Sequence, residues 1–278
     1  MKMDKPSLVF VIAAARFAQA PLDLLHDADR TSQFRSAIQR PLAAAGLSQV
    51  DVSKGRQFNI AANANGELQV NAFEASVLTA ADPSKQVAVT VDPGGISVRA
   101  TADAYVTHEW LFGLLDIALG SLAASAPEVR YARLGLRYLD LVLPAEQHDV
   151  SDYLSGPFAV DMSTAHVPSQ MNLEEYVQVA VLSQPKSRAR LVAKCFRGSG
   201  KVQIPADMAD AVVVPALPDA PSGFALLDID HFIEAASPAE TMGVDDLRAE
   251  LTSLHQGVRD VFVSLLSDHA KTEWGVTE

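Results

Sequence analysis

The acids best placed to do chemistry in this chain are Asp228 and Asp230, in the run LLDIDHF. On a strand, residues two apart share a face, so both acids point one way while Leu227, Ile229 and His231 point the other. Carboxylates this close repel one another unless they are protonated, metal-bound or matched by cations. Matching cations exist: Arg133 and Arg137 in YARLGLRYLDL share one face of another strand, with Gly135 between them. The planar fork of arginine suits carboxylate pairing in partly buried positions. A cross-strand Arg–Asp lattice that fixes register is the expected arrangement. The functional alternatives are a polar pocket that grips a ligand, or a divalent-ion site using Asp228 and Asp230 with oxygen ligands. Arg133, Arg137, Asp228 and Asp230 are therefore the candidate binding face.

Little else in the sequence points to catalysis. Seven histidines are scattered, with no pair at i,i+4 on a helix or i,i+2 on a strand, so metal-ligand spacing is absent. His108 opens a helix and His255 lies beside an apolar stripe, positions more often filled by packing residues than by catalysts. There is no Walker-type loop, no GxGxxG between a strand and a helix, no HExxH, no CxxC and no GxSxG elbow. Gly198-Ser199-Gly200-Lys201 is followed by a strand-like VQIP rather than a helix, so no helix dipole would face a phosphate there. The single cysteine, Cys195, excludes an internal disulfide and reads as a small buried apolar residue. No catalytic residue, metal or cofactor is expected.

Composition narrows the classes further. With 49% hydrophobic residues the chain can bury a large core, and its net charge of −12 argues against general nucleic-acid binding. Basic residues concentrate only at Lys186–Arg190 and Lys194–Lys201. The run LVFVIAAA near the N-terminus is interrupted by Arg16 and is rich in strand formers, so it reads as a strand rather than a signal peptide. No run approaches the ~20 apolar residues needed to cross a bilayer. A cytoplasmic protein that binds neither nucleic acid nor membrane is the expectation.

The elements that must carry these residues read as one order given twice. A strand over Ser7–Phe17 leads through a short helix, with Phe34, Ile38 and Leu42 on one face, into strand-like runs at Gln57–Ala61, Glu67–Phe73, Gln86–Val91 and Ile96–Thr101. Asn65-Gly66 is a hairpin signal. An amphipathic helix over Thr107–Ser125 closes the round and Pro127 ends it. A second round then follows: a strand over Val129–Leu143, a short helix at Asp149–Tyr153, strands at Tyr176–Leu182, Ala189–Phe196, Val212–Val214 and Phe224–Phe232, and a helix over Val244–Trp274. The order predicts an α+β fold of two similar halves, 1–126 and 127–278, each an antiparallel sheet backed by a long amphipathic helix. On the last helix, Phe262 and Leu266 lie beside the stripe from Leu247 to Leu265. They widen its apolar face enough to suggest a surface for a homodimer or another protein partner.

The segments Arg133-Leu-Gly-Leu-Arg-Tyr-Leu-Asp, Leu227-Asp-Ile-Asp-His-Phe and Leu254-His255 with Val261-Phe262 resemble a sporadically distributed, uncharacterised family of bacterial and archaeal proteins. In that family an RxGxRY[IL]N-like strand, an LDID-like strand and an LHxx[IV]xxxF-like helix recur in this order. The resemblance spans mainly 107–274. It departs at Asp140, where the family tends to carry Asn, and in the first strand, which lacks the family's usual acidic residue. The patchy distribution of the family implies a defence-associated or antitoxin-like role. The expected function is thus a non-enzymatic interaction protein; the alternative is a small-ligand binder or enzyme using an Arg/Asp-lined pocket between the halves.

Overall fold

The structure is a computed structural model and describes residues 7–21, 24–25, 27–62, 68–159, 175–183, 187–205, 208 and 211–276; the side chains of 55–73 and 238 are not described. Its centre is one nine-stranded antiparallel sheet in the order β2-β3-β4-β5-β1-β6-β9-β8-β7. The strands are β1 (Leu8–Phe17), β2 (Gln49–Ala62), β3 (Leu68–Ala81), β4 (Val87–Asp92), β5 (Gly95–Thr101), β6 (Tyr131–Val142), β7 (Glu175–Ser183), β8 (Ala189–Lys201) and β9 (Asp219–Glu234). Two separate sheets were expected. Instead β1 pairs along its length with β6, Ile12 opposite Arg137 and Ala14 opposite Gly135, so the sheet runs unbroken past residue 126.

Helices α1 (Ala28–Ala44), α2 (His108–Ser125) and α4 (Val244–Leu265) cover one face, and short α3 (Val150–Tyr153) and α5 (Asp268–Glu273) join at its rim. Each start has a local cause. Asp27 caps α1 by accepting from the N–H groups of Asp29 and Arg30, and Thr107 caps α2 by accepting from that of Trp110. The Asp246 carboxylate takes the Gly243 N–H at 2.6 Å at the start of α4. Phe34, Ile38 and Leu42 of α1 are buried as their spacing predicts, and Gly46 follows that helix with φ 97°. The apolar stripes of α2 and α4 meet Val11, Ala13, Leu134, Leu136, Leu227 and Ile229 in the main core. Cys195 is buried on the same side, and burial pushes its thiol up to about 12, which suits a packing residue.

Three expectations fail here. The last helix does not reach Trp274: α4 stops at Leu265, and the Ser267 hydroxyl accepts from the Ala270 N–H to start α5. Val212–Val214 is not a strand. It belongs to a stretch across the helix-free face, anchored where the Val213 N–H donates to the Lys85 carbonyl at 2.7 Å. Phe262 and Leu266, expected to widen an exposed partner surface, are 5% and 1% exposed and pack within the chain, so the dimer surface drawn from them is withdrawn. Asn65-Gly66 lies outside the described residues.

Candidate functional site

The face of the sheet opposite the helices is only partly covered. Val202, Met208, Ala220 and their neighbours close one end of it over Phe10, Ile12, Leu139 and Leu226, in a small second core. The remainder is ordered by strand register. One row across the sheet reads Arg99, Ile12, Arg137, Asp230, Val192, Val181. A second passes through Leu139, Asp228, Lys194 and Val179. A third passes through Ser97, Ala14, Gly135, Phe232 and Arg190, and a fourth sets Arg16 against Arg133 and Glu234. Directly opposed residues share a face. The fourth row continues from Arg16 through Gly95 to Asp92, so the four rows gather Arg16, Arg99, Arg133, Arg137, Arg190 and Lys194 with Asp92, Asp228, Asp230 and Glu234, a cation excess on a molecule of net charge −12.

All four candidate residues from the sequence come together here. Arg137 holds Asp228 with two hydrogen bonds, Nε to Oδ1 at 2.7 Å and Nη2 to Oδ2 at 2.8 Å, and the Asp228 side chain is 2% exposed. Arg133 reaches Asp230 from Nη2 at 2.6 Å. On the way its guanidinium lies 3.7 Å from the Phe232 ring centroid, a cation–π contact. Gly135 makes that crossing feasible: a Cβ there would sit 3.3 Å from Phe232 Cβ and 3.7 Å from Arg133 Nε. Asp230 is held above the usual carboxylate range, because burial outweighs the pull of Arg133 and Arg137.

These pairs form a ridge between two grooves. A groove of about 470 Å³ runs past Arg16, Arg99, Arg133, Arg137, Asp92 and Asp230. Another of about 500 Å³ is lined by Arg133, Arg137, Lys194, Phe196, Asp228 and Phe232. With a guanidinium on each aspartate, the ridge suits an anion-facing surface better than a cation site. No group of three or more His, Cys, Asp or Glu side chains that could hold a metal occurs among the described residues.

Sequence reasoning missed a second cluster, on the helix side. Tyr138 O–H lies 3.2 Å from His255 Nδ1 and 3.4 Å from Tyr105 O–H, and His255 stacks on His108 with ring centroids 3.9 Å apart. Burial, then the neighbouring His108, pulls His255 down to about 4. Asp140 is buried and, among the described residues, accepts only from the Ser7 hydroxyl, at 2.9 Å; burial pushes its carboxyl up to about 7. The available signal was Tyr138 and Asp140 at period two on the strand that carries Arg137, both on the alternate face. A partner 117 residues away, His255, gives no local sign.

A last buried histidine is structural. His231 Nδ1 lies 2.8 Å from the Leu254 carbonyl oxygen, and its ring fills the space over Gly257, where a Cβ would come within 2.3 Å of Cε1. No helix among the described residues is long and apolar enough to cross a membrane. Comparisons with protein-family models, with curated proteins and with solved structures return no match.

Proposed function

We propose that this chain is a non-enzymatic, cytoplasmic interaction protein whose partner lays an acidic segment across the uncovered face of the sheet. The observation that carries the reading is the charge of that face, where six cations meet four carboxylates within an acidic molecule. Solvated faces of antiparallel sheets normally carry mixed polar residues. This face continues instead into edge strand β7, where Val177, Val179 and Val181 are 50%, 57% and 61% exposed. Aliphatic side chains beside a cationic groove suit a protein surface of apolar and acidic residues. The resemblance to a sporadically distributed family supports a defence-associated or antitoxin-like setting.

The strand order supports a duplicated origin for the face. Outward from the β1–β6 seam, β1 is followed by β5, β4 and β3, and β6 by β9, β8 and β7. In each half a helix follows the last strand, and that strand pairs with the first of its round. The Arg/Asp ridge then sits beside the seam between halves, where ligands often bind.

Co-purification of tagged protein from its native host, with mass spectrometry, tests the reading. An Arg16→Glu/Arg190→Glu/Val179→Glu variant, altered only at exposed positions, loses the partner that the unaltered chain retains. A partner retained by that variant contradicts the proposal. A second reading, a small anion in the same place, is favoured by the groove of about 470 Å³. Calorimetry with citrate and inorganic phosphate separates the two.

A further inference from the structure

On the helix side of the sheet, remote from the Arg/Asp ridge, a cavity of about 510 Å³ opens between the start of α2, the C-terminal half of α4 and the ends of β1 and β6. Its walls combine apolar side chains, among them Leu8, Val258 and Phe262, with the rings of Tyr105, Tyr138 and His255. Val106 lines it too and is 68% exposed, which marks the mouth. Cavities of this size, mainly apolar with a few converging polar groups, are typical small-molecule sites.

Asp140 sets the chemistry. It lines the cavity, is 7% exposed, accepts one hydrogen bond from Ser7, and has no cation paired with it among the described residues. A buried carboxyl without a cation is costly when ionised. Asp228, also buried, has a bidentate arginine. Among the described residues that line the cavity, the remaining charged side chains and histidines are His255 and Arg259 of α4 and His108 and Glu109 of α2, the last two paired with each other at 3.0 Å. Tyr105 and Tyr138 present aromatic rings near the carboxyl, the surroundings that stabilise an organic cation.

We propose that this cavity binds a small organic amine, its ammonium group on Asp140 and its apolar or aromatic body between the tyrosines and Phe262. An ammonium group supplies the missing counter-charge, donates to the Asp140 carboxylate, and leaves the Ser7 bond intact. The proposal concerns a separate site on the opposite face from the partner surface and stands without it.

The test is calorimetry of the full chain with tryptamine and with indole-3-propionate, which have similar bodies and opposite charges. Tryptamine is expected to bind saturably and to raise the melting temperature, and indole-3-propionate to do neither. Asp140→Asn keeps the shape and the Ser7 contact and is expected to weaken tryptamine by about thirtyfold or more, the lower range for losing a buried charge partner. Val106→Trp, at an exposed position, is expected to block tryptamine with little change in melting temperature. No saturable binding of tryptamine overturns the proposal, as does equal or tighter binding of indole-3-propionate, which would assign the cavity to Arg259. Full retention of tryptamine by a folded Asp140→Asn variant overturns it as well.

Discussion

Removing Arg137 probes the ridge at its most buried point. Arg137→Ala deletes both hydrogen bonds to Asp228 and leaves a carboxylate that is 2% exposed between strands β6 and β8. Two unit charges about 4 Å apart interact by about 4 kcal/mol at an effective dielectric constant of about 20. Breaking such a buried pair from one side costs ~3–5 kcal/mol, mostly the penalty of the stranded charge. Lys194 lies directly across from Asp228 on β8 and can partly compensate, which places the expected loss near the lower end, ~3 kcal/mol. Urea unfolding followed by circular dichroism measures it. The double variant Arg137→Met/Asp228→Leu should recover most of the loss. Arg133→Ala should cost less, since Asp230 is 28% exposed. A loss below about 1 kcal/mol for Arg137→Ala, the value of a surface pair, would refute the reasoning.

Two further outcomes follow from the helix side. Asp140 holds its proton up to about pH 7 when folded, against about 3.9 when unfolded, so the folded state binds more protons between those values and stability falls as pH rises through them. Asp140→Asn removes that slope: it should be more stable than the parent above pH 7, with the gain gone near about pH 4, as thermal melts across pH would show. Equal pH dependence in the two proteins would sink this assignment. Gly257→Ala drives a Cβ to 2.3 Å from His231 Cε1 and should destabilise by ~1–3 kcal/mol, with His231→Ala restoring much of the loss in the double variant. Additive costs in that cycle would show that the ring is not what the new methyl meets.

Much of the fold was legible because its signals are local. Period-two apolar runs located most strands, and Thr107 and Asp149 marked helix starts that the structure retains. The Arg–Asp pairing was legible too, since a charged pair at period two on each of two strands constrains which faces can meet. The joining of the halves was not, because the β1–β6 pairing depends on contacts 114 to 132 residues apart in the chain and neither strand carries a local mark of the other. The break after Leu265 carries no glycine or proline; its sign was Ser267, a capping hydroxyl one residue past an apolar pair. Phe262 looked exposed from its place on the helix wheel, yet α4 lies at the edge of the Tyr138–His255 cavity, and that cavity gives Phe262 a wall to pack on. The cavity itself assembles four separate segments, and no spacing within any one of them records it.

The uncovered face is the centre of the functional reading, and one comparison tests it most directly. Tagged parent protein and the Arg16→Glu/Arg190→Glu/Val179→Glu variant are expressed at matched levels in the native host, and the proteins recovered with each are quantified by mass spectrometry at low and high salt. The reading predicts an acidic partner that accompanies the parent, weakens as salt rises and is absent from the variant. A partner recovered equally with both proteins, or one indifferent to salt, would contradict it.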